Sequence, residues 1–220
     1  MDSPQQKMAE LQCKTVIPQL TRRNMSAEYV PTAEAALARV QALLVPGETV
    51  ATGGSATLDQ CGITALLRSG AYRYLDRAGA DTPEKRRQLF LDSFAADTYL
   101  CSCNAVTMAG ELFNADGNSN RVAALCYGPR RVILIVGANK LVRDMDAAVL
   151  RLKTQAAPAN ALRLSCRTPC AAQGTCAGLS GGFSDGCLSP DRICVNYVVT
   201  AWQREKDRVH VILVGEPLGF

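Results

Sequence analysis

The run Arg131-Val-Ile-Leu-Ile-Val136 is the stretch that decides the fold. It lacks the alternation of polar and apolar residues that marks a half-exposed strand, and an unbroken apolar run is typical of a strand covered on both faces. Gly137-Ala-Asn139-Lys140 follows where this strand would end, and a helix is expected from about Asp144 to Ala156. A buried strand that leads into a helix predicts an α/β protein with a largely parallel sheet.

Outward from this strand, helical and strand patterns alternate at the spacing of βα units. Helices are expected over residues 4–24 with a kink or break at Pro18, after the cap Thr32, over Thr57–Arg68 and from Pro83. Short strands are expected at Ala27–Val30, Thr49–Thr52, Tyr72–Leu75 and Tyr99–Cys103. Cys194–Ala201 and Val209–Gly215 are two more, which the polar turn 203–207 could join as a pair. We therefore predict an α/β body over residues 1–160, a cysteine-rich segment over 161–196, and strands that return to the body over 197–220.

Composition and charge narrow the classes of function. The 220 residues are 48% hydrophobic and carry a net charge of +4, with basic residues scattered among acidic ones, so no nucleic-acid-binding stripe is predicted. No apolar run reaches the roughly 20 residues that cross a bilayer. The polar start lacks the layout of a signal peptide, so we expect a cytoplasmic protein.

Polar residues cluster where strands end. Asn104 to Arg121 contains four Asn, one Glu, one Asp and one Arg between apolar strands. Turn formation explains any single Asn, but the set as a whole predicts a ligand site on a rigid scaffold. The candidate ligand-binding residues in this stretch are Asn104, Asn114, Asp116, Asn120 and Arg121.

Two further loops extend the predicted ligand site. Gly53-Gly54-Ser55 joins a strand to a helix, where the backbone can approach a ligand and free N–H groups can face an anion, although a plain tight turn is the alternative. Gly137, Asn139 and Lys140 follow the central strand. Both loops lie at carboxyl ends of strands, where open α/β sheets bind ligands. Glu111 is the candidate catalytic base or nucleophile, and its structural alternatives are pairing with Arg121 or a backbone hydrogen bond in the turn.

The chain holds ten cysteines, and five of them lie between Cys166 and Cys194. A reducing cytoplasm argues against a disulfide framework, so we predict metal ligands at Cys170, Cys176, Cys187 and Cys194, with Cys166 able to replace one of them. Zinc prefers pairs of ligands two to four residues apart. The irregular spacing favours an iron–sulfur cluster, for which we predict the 4Fe-4S type, while structural zinc and free or regulatory thiols remain alternatives.

These motifs together resemble one family. Gly53-Gly54-Ser55, Asn104-Ala-Val-Thr, Gly110-Glu111-Leu, Asn114-x-Asp116-Gly-Asn-x-Asn120-Arg121 and Gly137-x-Asn139-Lys140 resemble the lactate utilisation (LUD) domain family. Thr168-Pro169-Cys170 and Cys187-x-Ser189-Pro190-Asp191-Arg192-Ile193-Cys194 resemble its compact branch with a cysteine-rich tail. The resemblance implies a fold like that of the ribose-phosphate isomerase, glucosamine-phosphate deaminase and CoA-transferase group. It also implies an association with lactate oxidation beside other redox proteins.

Three functions are compatible with these observations. The first is a cytoplasmic redox protein that binds a small anionic metabolite or nucleotide and an iron–sulfur cluster, with homodimer formation open. The second is a CoA-transferase-like or isomerase-like enzyme that uses Glu111. The third is a zinc-stabilised metabolite-binding or redox-sensing protein. Whether the chain is an enzyme is left open by the sequence.

Overall fold

The computed structural model describes residues 3–220, and two sheets form within that range. The strands are β1 (Ser26–Val30), β2 (Thr49–Thr52), β3 (Arg73–Tyr74), β4 (Thr98–Cys101), β5 (Ala105–Thr107), β6 (Leu112–Asp116), β7 (Arg131–Gly137), β8 (Leu141–Val142), β9 (Asn196–Thr200) and β10 (Val209–Val214). The main sheet has six strands in the order β1-β10-β7-β4-β2-β3, and all of its pairs are parallel. The α/β fold with a mostly parallel sheet is therefore confirmed.

Helices cover both faces of the main sheet. They are α1 (Pro4–Arg22), α2 (Ala33–Leu43), α3 (Ala56–Gln60), α4 (Ile63–Leu67), α5 (Pro83–Asp92), α6 (Asn120–Cys126), α7 (Met145–Arg151), α8 (Ala157–Arg163) and α9 (Pro169–Gln173). None of the helices within residues 3–220 combines the length and the apolar character that a membrane crossing requires.

Strand β7 lies in the middle of the core, as its apolar run predicts. Val132, Leu134 and Val136 pack on the face that α1 covers, and Ile133 and Ile135 pack on the face of α2, α3 and α4. All five side chains are fully buried. A strand with apolar residues on both faces is stable only in such a two-sided environment.

The smaller sheet has the order β8-β5-β6-β9 and packs against α7. Strand β6 pairs antiparallel with both β5 and β9, so the polar stretch predicted as one loop forms a short hairpin. Phe113 of β6 packs against Phe183 and Tyr197, which ties the cysteine-rich segment to this sheet. The small sheet therefore joins the α/β body to the segment that follows it.

The two C-terminal strands do not pair with each other, and that prediction is wrong. Strand β9 is the half-exposed edge of the small sheet, whereas β10 lies between β1 and β7 in the main sheet. Their compositions explain the difference, because β10 is almost entirely apolar and buried while β9 alternates between partly buried and exposed residues. The turn between them contacts the end of α1, where the Gln203 N–H donates to the carbonyl of Arg23 at 2.9 Å.

Three helix boundaries also differ from the sequence predictions. Helix α1 continues through Pro18 without a break. The helix predicted over 57–68 divides at Gly62, whose φ of 72° is incompatible with a right-handed helix. The helix predicted to end at Ala156 instead continues through a π-helical turn, Leu152–Ala156, into α8. Pro158 lies in the first turn of α8, directly after this π-helical turn.

Candidate functional site

A cleft of about 730 Å³ opens at the carboxyl edge of the main sheet. A smaller cavity of about 90 Å³ adjoins it, and Gly54, Ser55, Arg121, Asn160 and Arg163 line both. Loops after β2 and β4 form one wall, and the turn after β6 forms another. This is the edge at which parallel α/β sheets place their ligand sites.

Lys140 is the most unusual residue at this edge. Its side chain is only 3% exposed, and it lines the smaller cavity. The ammonium donates to the hydroxyl oxygens of Thr57 and Ser102, each at 2.9 Å. Within residues 3–220, no carboxylate forms an ion pair with it. A buried cation without a counter-ion is rare in proteins, and one that lines a cavity at this edge of the sheet is a candidate functional residue.

The surroundings of Lys140 lower its affinity for a proton. Burial lowers the pKa of Lys140 to about 8, because the ammonium loses its hydration. The guanidinium groups of Arg151 and Arg121 act in the same direction, against an opposing influence from Cys103. Arg151 is itself buried and donates to the carbonyl oxygens of Asn139 and Asn104. The ammonium of Lys140 and the guanidinium of Arg151 therefore lie close together with no carboxylate partner among the described residues.

Arg121 has a structural role, although it lines both cavities. Its guanidinium donates to Asn114 Oδ1 at 2.5 Å, to the Ser102 carbonyl at 3.1 Å and to the Ala115 carbonyl at 2.7 Å. Its Nε lies 3.4 Å from Asp116 Oδ2. An arginine has five N–H donors, and these partners use nearly all of them. The geometry therefore leaves Arg121, a predicted ligand-binding residue, few free donors for a ligand.

The Asp116-to-Arg121 motif builds the turn that aims Arg121. Asp116 Oδ1 accepts from the backbone N–H groups of Asn118 and Ser119, each at 3.0 Å, which fixes the turn before α6. Asp116 and Asn120 line the larger cleft, whereas Asn114 is fully buried behind it. Asn104 lines the smaller cavity, and its Oδ1 accepts from the Ala115 N–H at 2.8 Å. The motif therefore supplies the wall of the site more than its ligand contacts.

Gly53 and Gly137 each allow another part of the chain to pack closely against the backbone. A Cβ on Gly53 would lie 2.9 Å from Arg121 Cδ and 3.2 Å from Cys101 Cβ, so Gly53 makes room for the arginine. A Cβ on Gly137 would lie 2.5 Å from the Leu218 nitrogen. Asn139 Oδ1 accepts from that same N–H at 3.0 Å. Gly137 and Asn139 therefore hold the C-terminal residues across the sheet edge, and neither residue lines the two cavities described above.

Glu111 is not brought to the cleft. It lies in the turn between β5 and β6, where Thr107 Oγ1 donates to Glu111 Oε2 at 3.1 Å. Its charged neighbour is Arg23 of the α1 terminus, at 3.8 Å, and not Arg121. The carboxylate lines neither cavity. The geometry therefore gives no support to Glu111 as a catalytic base or nucleophile.

The four cysteines predicted as metal ligands are not gathered into one group in this arrangement. No group of three or more His, Cys, Asp or Glu side chains within residues 3–220 is placed to hold a metal ion. Cys170, Cys176 and Cys194 are buried, and Cys187 is partly exposed. Cys170 contacts Thr168 Oγ1, while the Cys176 sulfur accepts from the Gly178 N–H. The four thiols therefore do not fit a single four-thiolate site as they stand.

Two cations hold this segment together. Lys153 is 3% exposed and donates to the carbonyls of Gly178 and Gly182, each at 2.7 Å. Arg192 donates to the carbonyls of Ser184, Cys187 and Cys194. The segment is therefore folded by hydrogen bonds from cationic side chains to backbone carbonyls.

Sequence reasoning missed several residues at the site. These are Thr57, Ser102, Arg151, Asn160 and Arg163. Ser102 follows β4 directly, and its place at a strand end was a usable signal. Arg163 carried none, because its helix was expected to have ended. Its guanidinium donates to Asn160 Oδ1 at 2.8 Å and 3.0 Å and has no carboxylate partner among the described residues.

Comparison with known proteins gives a consistent result. The sequence model of the LUD domain matches residues 13–214. A crystal structure of a DUF162 family protein from Deinococcus radiodurans is similar, with 15% sequence identity, coverage of 95% of this chain and 98% of that one, and a TM-score of 0.49. A search of curated proteins finds no match. The family match spans most of the chain, and the chain belongs to the LUD domain family.

Proposed function

We propose that this LUD-domain protein binds a small organic anion at the carboxyl edge of its main sheet. The observation that carries the proposal is the buried ammonium of Lys140, which has two hydroxyl partners and no carboxylate partner among residues 3–220. Removing a charged group from water without a counter-ion costs several kcal/mol of folding free energy. An anion in the adjoining cavity would offset that cost.

The rest of the cavity suits the same ligand. Arg163 faces both cavities with only Asn160 as its partner, and the Ser55 hydroxyl lies on the same wall. Arg77 lines the larger cleft with no carboxylate partner among the described residues. A carboxylate or phosphate group is the chemistry that guanidinium and ammonium groups bind best. We propose a small metabolite that carries such a group, or a nucleotide in the larger cleft.

Calorimetric titration tests this proposal. The probes are pyruvate, L-lactate and inorganic phosphate, each titrated into the full chain. Lys140→Gln removes the charge but keeps hydrogen-bonding capacity, and it should weaken binding by about 10- to 100-fold, as expected for the loss of one charged hydrogen bond. Lys85→Gln is the matched control, because Lys85 is exposed and pairs only with Asp81, which precedes its helix. Equal affinities in Lys140→Gln and the parent protein would contradict the proposal.

We further propose a cytoplasmic role in lactate utilisation or related redox metabolism, beside other redox proteins. Membership of the LUD domain family supports this role. A deletion strain tests it: growth on lactate should slow while growth on glucose is unchanged. Equal growth on both carbon sources would remove the link to lactate.

The iron–sulfur cluster predicted on Cys170, Cys176, Cys187 and Cys194 rests on sequence alone. Its support is the density of thiols in the segment, and the described arrangement does not bring them together. Anaerobic purification with metal analysis and visible absorption tests it. Bound iron with broad absorption, lost in Cys187→Ser, would support the cluster, and zinc without colour would support the structural alternative. Metal-free protein with four reactive thiols would exclude both.

A further inference from the structure

We propose that Lys140 forms a covalent imine with the carbonyl carbon of a small 2-oxo acid held in the smaller cavity. This inference rests on the proposed binding of an organic anion at the same site. It adds a role for the Lys140 nitrogen as a nucleophile. The argument depends on the partners of that nitrogen, the cavity beside it and the cations around it.

The partners of Lys140 permit both of its protonation states. Thr57 and Ser102 contact Nζ through hydroxyl groups, which can accept a hydrogen from an ammonium or donate one to a neutral amine. Lys153 is buried to the same extent, but its partners are two carbonyl oxygens, which can only accept. The contacts of Lys153 thus require a hydrogen-bond donor and hold it as an ammonium, whereas the contacts of Lys140 do not.

The charge balance around Lys140 favours a neutral amine. No carboxylate among the described residues holds it as an ammonium, and Arg121 and Arg151 are close enough to disfavour its charge. Burial lowers the pKa of Lys140 to about 8, so a useful fraction of the amine is neutral near neutral pH. Nucleophilic lysines that form Schiff bases are activated in this way, by burial and by cationic neighbours.

The cavity limits the size and the charge of the partner. Its volume of about 90 Å³ holds only a few heavy atoms. Arg163 and Ser55 line it with donors that suit a carboxylate, while Lys140 lies at the same cavity. A 2-oxo acid has a carboxylate directly bonded to a carbonyl carbon, so one small molecule can meet both requirements. A hydroxy acid such as lactate meets only the first.

The reaction needs no oxidant or other co-reactant. The lone pair of the neutral Lys140 amine attacks the carbonyl carbon, and the carbonyl π electrons move to oxygen, which takes up a proton to give a carbinolamine. The nitrogen loses its two protons in the course of the reaction, and the hydroxyl group leaves as water after it is protonated. One amine and one ketone therefore give one imine and one water. The Ser102 hydroxyl, 2.9 Å from Nζ, can transfer a proton between nitrogen and oxygen.

Reductive trapping tests the inference. The full chain is incubated with pyruvate and sodium borohydride, and the modified residue is identified by intact mass and peptide mapping. We expect one reduced pyruvyl group on Lys140, an unmodified Lys153, and no adduct when L-lactate replaces pyruvate. The yield should rise with pH through a midpoint near 8, the pKa of Lys140, and level off above it.

Lys140→Arg is the companion variant, since it keeps a positive charge but cannot form an imine. It should lose the adduct, with circular dichroism used to check its fold. If Lys140→Arg does not fold, peptide mapping of the parent protein still decides the question. Trapping that is absent or equal across exposed lysines, while calorimetry shows pyruvate binding, would overturn the covalent step alone. No binding of any anion by calorimetry would instead overturn the proposed function.

Discussion

Replacing Arg121 by methionine tests whether this arginine stabilises the fold or binds a ligand. The variant removes the donors to the Ser102 and Ala115 carbonyls and to Asn114 Oδ1, and it leaves Asp116 without its charged partner. Asn114 is fully buried, so no water can replace the lost bond at that position. We therefore expect a large loss of stability and not a selective loss of ligand.

The magnitude follows from the exposure of the pair. Removing one partner of a buried ion pair costs about 3–5 kcal/mol. The side chains of Arg121 and Asp116 are 14% and 10% exposed, which permits some hydration of the carboxylate left behind. The methylene groups of methionine also retain part of the packing against Gly53. We expect the free energy of unfolding to fall by about 3 kcal/mol, at the lower end of that range.

Urea unfolding monitored by circular dichroism measures this change, with linear extrapolation to water. With a slope of about 1–3 kcal/mol per molar urea, the midpoint should fall by at least about 1 M. Arg163→Met is the matched control, because its guanidinium contacts only Asn160, three residues away on the same helix. Its unfolding free energy should lie within about 0.5 kcal/mol of the parent value.

Lysine at position 121 provides a second check. It keeps the charge but cannot present forked donors to several acceptors at once, so Arg121→Lys should recover less than half of the lost stability. Parent-like stability in Arg121→Met, or full recovery in Arg121→Lys, would refute the structural assignment. Either result would return Arg121 to the list of ligand-binding residues.

Three further predictions concern the site and the cysteine-rich segment. Gly53→Ala should lower the free energy of unfolding by about 1–3 kcal/mol in urea, because the new Cβ meets an arginine that cannot move aside, and no loss would contradict that packing. Burial lowers the pKa of Lys140 to about 8 from its usual 10.5, so between these values the folded state binds fewer protons than the unfolded chain. Stability should therefore increase with pH across that window, relative to Lys140→Met, and equal pH slopes for the two proteins would count against the lowered pKa. Lys153→Met should speed the labelling of Cys176 by a maleimide reagent, since two carbonyls of the adjacent loop lose their donor, and an unchanged rate would show that the loop is held by other contacts.

Much of the fold could be predicted because its signals are local. The apolar run 131–136 required two covered faces. The helices expected after Thr32, from Pro83 and from about Asp144 begin within one residue of those positions. The pairing of β9 and β10 could not be predicted in the same way. Proximity in sequence favours a hairpin, and only the competition for the centre of the main sheet decides against it.

The residues of the candidate site also differ in whether local sequence could predict their roles. Lys140 was predicted from its position after a buried strand, a rule that needs no knowledge of distant partners. The roles of Asn114, Asp116 and Arg121 depend on which polar groups satisfy one another, and that is a property of the folded contacts. A motif rich in hydrogen-bonding side chains can therefore bind a ligand or build a wall, and its sequence is the same in both cases.

Glu111 shows how adjacency in sequence misleads. It lies in the same polar stretch as Arg121, yet β6 separates the two residues and places them at opposite ends of one strand. The charged partner of Glu111 is Arg23, which comes from the far end of α1. Nearness in sequence therefore does not predict contact here, because the Arg121 guanidinium donates to Asn114 and Ala115 of β6 and not to Glu111.

In the cysteine-rich segment, cysteines that are close in sequence do not lie together in one group in the folded arrangement. A segment with few apolar residues needs some other source of order, and the sequence pointed to metal. Lys153 and Arg192 supply that order here by donating to five carbonyl groups of the segment. Two of those carbonyls belong to Cys187 and Cys194, so the backbone of the expected ligands is already fixed by Arg192. Arg192→Met separates the two sources of order: a variant that keeps its fold with bound metal would show that thiolate ligation orders the segment, whereas a disordered segment in metal-free protein would show that the guanidinium does.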